Sequence, residues 1–252
     1  MTSLAENLIP VKRVPVRTRT KYPKSVKVPS LNMLKRGKQN KKLGDVVSVK
    51  KWKGMTMYSL TLEERTTCPS DCEQWDNCYG NNMPFAHRFD HTHPDFKKLL
   101  GQQLEELSKK HPEGFVVRLH VLGDFFDGLY IAQWQIWLYE MENLNIFGYT
   151  HHKHTSTLGN MLQNLNRIYP DRCAIRFSDD EETGFSAYTH PEENDELEGL
   201  PMRKSKAHHR LILTEKEHKY VLVCPEQRGT TASCTTCGFC WTSKEPIVFI
   251  EH

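Results

Sequence analysis

The chain has 252 residues, 38% of them hydrophobic, with a formal net charge of +3 and eight cysteines. That length supports one large α/β domain whose interior needs no disulfide staples, and the cysteines are too sparse for a small disulfide scaffold. No stretch reaches the ~18 apolar residues of a membrane span and Met1–Asn7 has no basic region leading into an apolar run, so the expectation is a soluble cytoplasmic protein without a signal peptide, in a reducing compartment where thiolates meet metals before one another.

The small net charge hides an asymmetry. Residues 10–54 hold fifteen Lys and Arg against one acidic residue, Asp45, and the remainder after Glu6 leaves 19 basic and 29 acidic residues in 55–252. Pro10, Pro15, Pro23 and Pro29 break regular elements here, so residues 1–54 are predicted as a basic extended arm and 55–252 as the α/β domain. A positive segment interleaved with Tyr22 and Trp52 suits a nucleic acid or other polyanion; the plainer readings are a tail docked on its own acidic body, or one that only aids solubility.

From Met55 the pattern alternates like a strand to Leu60, and the first cysteine group follows it. Pro94 opens a helix whose Phe96, Leu99, Leu100, Leu104 and Leu107 share one face. Phe115–Leu122 is too apolar for a surface strand and is predicted as a buried one ending at Gly123-Asp124. A helix striped by Tyr130, Trp134, Trp137, Leu138 and Met141 comes next, then a strand at Asn145–Thr150, a helix through Leu158, Met161, Leu162, Leu165 and Ile168, and a strand at Cys173–Ser178. The acidic stretch Asp179–Glu198 lacks periodicity and is predicted as a loop, with further strands at Arg210–Leu213, Lys219–Cys224 and Pro246–Ile250. Buried strands alternating with amphipathic helices predict a partial (βα) barrel of about six mainly parallel strands, in which the loops after strands collect on one rim. Those loops carry Cys68–Cys78, Gly123-Asp124, Thr150–His154, Ser178-Asp179 and Cys224–Cys240.

Seven cysteines form two groups. Cys68, Cys72 and Cys78, spaced C-x3-C-x5-C, can chelate three corners of an iron–sulfur cube and leave one iron open; zinc, completed by a fourth Cys or His, is the structural alternative. Cys224 with Cys234-x2-Cys237-x2-Cys240 offers a full four-thiolate shell, again for a 4Fe-4S cluster or for zinc. Cys173 stands alone at a strand start and is read as a buried small hydrophobe. Arg118 and His120 share a face by two-residue alternation and Arg176 points the same way, which makes all three candidates for holding an anionic substrate or cofactor; a salt bridge to Asp124 or Asp179 is the alternative. Asp124 serves either such a site or the cap of the next helix, and His151, His152 and His154 either bind metal or face solvent.

Thr67-Cys68-Pro69, Cys78-Tyr79-Gly80-Asn81-Asn82, Phe115–Asp124, Phe147–Thr150, Ile175–Ser178, Cys224-Pro225 to Cys240-Trp241 and the closing Phe249–His252 together resemble the phage gene product 88 domain family, whose members look like distant relatives of radical S-adenosylmethionine enzymes. The resemblance covers roughly residues 55–252. It implies a partial barrel with a 4Fe-4S cluster on Cys68, Cys72 and Cys78, Gly123 and Asp124 in the place that holds the amino group of S-adenosylmethionine, and a reductant protein as electron donor. The five residues before Cys78, where those enzymes usually have two, depart from their pattern. Three functions follow as expectations: a radical S-adenosylmethionine-like enzyme acting on a nucleic acid or nucleotide, with Arg118, His120 and Arg176 at the substrate; a zinc-stabilised nucleic-acid-binding protein; or an iron–sulfur redox sensor that releases the arm when the cluster is lost.

Overall fold

The computed structural model of the protein describes residues 18–178, 185–190, 202–204, 210–213 and 220–250. Two short strands, β1 (Val26–Lys27) and β2 (Lys35–Arg36), precede β3 (Thr56–Ser59) and β4 (Arg88–Phe89). Helix α1 (Phe96–Lys110), β5 (Phe115–Leu119), α2 (Gly128–Glu140), β6 (Leu144–Thr150), α3 (Thr157–Ile168) and β7 (Cys173–Ser178) then alternate. β8 (Ser186–His190), β9 (Met202–Lys204), β10 (Arg210–Leu213), β11 (Tyr220–Val223), two single-turn helices α4 (Cys234–Cys237) and α5 (Phe239–Thr242), and β12 (Ile247–Ile250) complete the described chain. β1 pairs with β4 apart from the main sheet.

The main sheet has ten strands in the order β2-β3-β5-β6-β7-β8-β12-β11-β10-β9. The run from β3 to β11 is parallel throughout, and β2, β10 and β9 are antiparallel at the edges. The α/β class and the mainly parallel sheet are therefore as the alternation predicted. A closed barrel is absent among the described residues: no pairing joins β2 to β9, so both edges stay open. β8 is a correction, because a strand occupies part of the acidic stretch predicted as loop; the remainder of Asp179–Glu198 lies outside the described residues.

Two-residue alternation sends the strand side chains to opposite faces. Phe115, Val117, Leu119, Ile146 and Ile175 meet α1, α2 and α3, through Leu100, Leu104, Trp134, Leu138, Leu162 and Leu165. Burying each such side chain is worth roughly 1.5–3 kcal/mol. The helices start where the sequence can cap them: Asp127 accepts from the Tyr130 N–H at α2, and Ser156 from the Gly159 N–H at α3. Met57, Val116, Phe147 and Ala174 face the other way and are covered by Leu43, Val47 and Trp52 from the basic segment and by Cys224, Cys240 and Trp241 from the C-terminal part.

The segment expected as an extended arm is packed from Thr18 onward. β2 pairs with β3, Met33 and Leu34 join the helical core, and Trp52 stacks on Trp241 with ring centroids 5.4 Å apart. Arg19 pairs with Glu63 at 3.0 Å and Arg36 with Asp45 at 2.6 Å, while Lys42 stands 3.7 Å from Glu226. All of these contacts but Arg36–Asp45 join residues 18–54 to the rest of the chain, as in the docked-tail reading; residues 10–17 lie outside the described residues. No described helix is long and apolar enough to cross a membrane.

Candidate metal centre

The first cysteine group sits beyond the C-terminal end of β3. The chain leaves the strand through Leu60–Leu62, which bonds to Leu122 and Val121, and enters Glu63-Glu64-Arg65, three charged residues that are all buried. Successive turns then carry the cysteines: the Cys72 N–H donates to Pro69 O, Trp75 N–H to Cys72 O and Asn81 N–H to Cys78 O. Arg88, fully buried, holds this segment from outside. It donates to both carboxylate oxygens of Glu64, at 2.6 and 3.0 Å, and to the carbonyls of Gly80, Met83 and Ala86 and the Ser25 hydroxyl. The N-terminal part closes over it, with Tyr22 Oη donating to Asn81 O at 2.5 Å and Thr20 Oγ1 to Glu64 at 2.7 Å.

The loops after β3, β5 and β6 meet at Asp124. Its N–H donates to Thr67 Oγ1, and its two carboxylate oxygens accept from the Phe125 and His151 N–H groups. Gly123, at φ 82°, has no room for a side chain, since a Cβ would stand 2.5 Å from Thr67 Oγ1 and 2.8 Å from Leu62 Cβ. Lys153 reaches Glu73 at 3.6 Å from the same rim. The rim predicted for Cys68–Cys78, Gly123-Asp124 and the His151–His154 run thus forms, while Asp179 lies outside the described residues. Asp124 knots it together, neither capping a helix nor pairing with Arg118. The histidines are half-buried, and His152 Nε2 lies 2.7 Å from Phe125 O.

The second group does not stay on the rim. Cys224 directly follows β11, and the chain then crosses the face opposite α1–α3 to reach β12, with α4 and α5 on the way. Ser233 and Thr236 form a reciprocal capping box at α4, and Gly238 at φ 64° turns the chain into α5. The Cys234 N–H donates to Lys42 O and Thr235 N–H to Leu43 O, which sets these cysteines against the basic segment. Tyr149 Oη donates to Cys240 Sγ at 2.9 Å.

The three predicted substrate residues separate. Arg176 is fully buried and donates to four carbonyls, those of Cys240, Ser186, Glu245 and Ser243, so it clamps the crossover and keeps little for a ligand. His120 does not share the face of Arg118: β5 ends at Leu119, the alternation lapses, and the imidazole turns among Tyr130 and Phe125 of the helical core, 3.0 Å from Tyr130 Oη. Burial holds it neutral, at a pKa of about 3. Arg118 remains half-buried over the Tyr149 ring, 4.5 Å from its centroid, with a single hydrogen bond to Leu119 O. The Tyr149 ring that it covers bonds through its hydroxyl to Cys240 Sγ, and the Arg118 charge also acts on Tyr79 beside Cys78 and on Cys234.

No cysteine forms a disulfide. Burial pushes the thiols of Cys68, Cys78, Cys234 and Cys237 up, and Cys224 to about 11 by burial and the neighbouring Cys240. Sites of this kind become thiolate when a metal displaces the proton. Cys173 packs in the helical core as expected, donating to Asn166 Oδ1 at 3.3 Å. Among the described residues, eight buried side-chain nitrogens lack a hydrogen-bond partner, and five of them lie on the cysteine segments: Arg65 Nε and Nη1, Trp75 Nε1, Arg228 Nε and Trp241 Nε1. Sequence reasoning missed Arg65 and its neighbour Glu64, although three consecutive charges just before Thr66-Thr67-Cys68 were a legible signal.

A family model described as Gene product 88 matches residues 32–243. No curated protein and no solved structure is significantly similar to the chain. The matched span takes in both cysteine groups and begins inside the basic segment, ahead of residue 55. The chain belongs to the Gene product 88 family.

Proposed function

We propose that this is an iron–sulfur protein in which Cys68, Cys72 and Cys78 hold a 4Fe-4S cluster, and in which Cys224, Cys234, Cys237 and Cys240 hold a second metal group. The observation that carries the reading is the company the cysteines keep: Cys224 and Cys240 buried and the other five half-buried, on segments whose buried N–H donors have no acceptor, which suits an anionic sulfur-bearing group. Among the described residues no three His, Cys, Asp or Glu side chains converge as ligands of a single ion. A cluster asks less of the chain, since each iron takes its own thiolate.

With three protein thiolates, the cluster when bound supplies one-electron transfer and an open iron, the arrangement that radical S-adenosylmethionine enzymes use. Around it the chain's own residues do the holding. Arg88 and Glu64 fix the segment, the Asp124 knot sets its distance from β5 and β6, and Arg118 presents a positive charge to an anionic cofactor or substrate carboxylate or phosphate. Gly123 and Asp124 shape this corner, and a cofactor placed here would meet the corner's backbone and not a free Asp124 oxygen. Exposed Lys21, Lys24 and Lys27, on the part of the basic segment that packs against the first cysteine group, would steer a nucleic acid or nucleotide. A reductant protein would deliver the electron.

Anaerobic purification followed by iron, sulfide and zinc analysis tests the first claim, and iron with sulfide in near-equal amounts is the expected result. Addition of S-adenosylmethionine and a strong reductant tests the second, through release of 5′-deoxyadenosine. Zinc alone in both groups would replace the enzyme by a structural, nucleic-acid-binding protein. Zinc in the second group alone is the reading favoured by Cys234 and Cys237, one helical turn apart in α4, as in a zinc hook.

A further inference from the structure

Arg65 precedes the first cysteine group by three residues and holds a left-handed backbone, φ 70°, that side-chain-bearing residues rarely adopt. That backbone turns its side chain inward, where the residue is 5% exposed. Nη2 donates to Trp75 O at 3.1 Å and to Asn81 Oδ1 at 2.8 Å, so the guanidinium is held to residues on either side of Cys78. Nε and Nη1 are buried and have no acceptor among the described residues. Glu64 is 4.0 Å from Nη1, beyond hydrogen-bond reach, and its oxygens already accept from Arg88 and Thr20.

The contrast with Arg88 is informative. Both guanidinium groups are buried and both border Glu64, yet Arg88 has its carboxylate and four further acceptors while Arg65 keeps two donors unused. Glu64 is one carboxylate between two buried guanidinium groups and it bonds to Arg88, so a positive charge and two unused donors stay buried at Arg65 for a partner the chain itself does not supply.

We propose that Arg65 binds the cluster held by Cys68, Cys72 and Cys78, its Nε–H and Nη1–H donating to the cluster's sulfur. The proposal rests on the iron–sulfur reading above and adds a residue outside the cysteines that touches the group. A thiolate-ligated cluster becomes more negative on reduction, so a fixed cation and two N–H donors favour the reduced state and raise the potential. Trp75 Nε1, the other partnerless donor of this segment, is neutral and carries no such charge effect.

The test uses the full chain, prepared anaerobically with 15N-labelled arginine, its iron and sulfide counted, and its reduced cluster examined by pulsed EPR. A 15N coupling is expected in the wild-type protein, lost in Arg65→Lys and kept in Arg118→Lys. In a potentiometric titration Arg65→Met is expected to be about tenfold harder to reduce, about 59 mV for a one-electron couple. Should Arg65→Met fail to fold for want of its bonds to Trp75 and Asn81, the wild-type coupling still decides. Iron and sulfide present without arginine coupling, or a coupling that survives in Arg65→Lys, would overturn the role of Arg65 and leave the cluster standing. Wild-type protein without iron and sulfide would overturn the cluster reading and this assignment with it.

Discussion

His120 and Arg176 were set apart in the sequence as charged groups on buried strands, and the structure gives each a job in holding the fold. His120 is kept neutral by burial and by the nearby Arg118 charge, while in the unfolded chain it takes up a proton below its ordinary pKa of about 6.5. Stability from this group is therefore complete above that pH and is lost as the pH falls toward 3, by roughly 1.4 kcal/mol per unit. Between pH 7 and pH 5 the wild type should lose about 2 kcal/mol more than His120→Gln in urea unfolding, and equal losses would refute a buried neutral imidazole. Arg176→Met should cost about 3–5 kcal/mol in the same measurement, because the carbonyls of Cys240, Ser186, Glu245 and Ser243 lose their donor at once. A loss below ~1 kcal/mol would mean that water replaces the guanidinium there.

Among the elements, the legible ones were those whose pattern answers to their own neighbours. α1, α2, α3, β5, β6 and β7 fall within a few residues of their predicted spans, because a helix stripe or an apolar strand run records the face it buries. The misreadings arose where distant chain decides. β8 sits in an acidic stretch whose local composition argues against a strand, and it is held by parallel pairing to β7 and β12. Its neighbour β12, the last in the chain, is inserted between β8 and β11, an order that no local signal carries. Composition marked residues 1–54 as an extended arm and Trp52 as an aromatic for a polyanion, with no sign that Leu43, Val47 and Trp52 cover one face of the sheet, where Trp52 stacks on Trp241, 189 residues later in the chain. The cysteine groups were read from spacing and the charges of Glu64 and Arg65 were legible before them, whereas Arg88, which binds Glu64 from 24 residues on, emerges only in three dimensions. Trp52→Ala should measure how firmly the basic segment is fastened: loss of the stack on Trp241 and of the bond from Trp52 Nε1 to Asp171 O predicts about 3–5 kcal/mol in chemical denaturation. A near-neutral result would show the segment to be an accessory to the sheet.

For the whole molecule, one sheet has two unlike coverings. Helices close one face; the basic segment and the cysteine-bearing crossover close the other. The crossover runs from Cys224 to Ile247 between strands that lie side by side in the sheet, and its four thiols sit along the way. Anything that ties these four sulfurs together turns the crossover into a closed ring and fastens the C-terminal half of the sheet like a drawstring. Trypsin should then report the state of the knot without any assay of chemistry: cleavage after Arg228 and exposed Lys244 should be slow in protein carrying its metal and fast once a chelator has stripped it, with the first cysteine group's mutation to serine leaving the contrast intact. Equal rates in the two states would mean that the ring is never drawn shut.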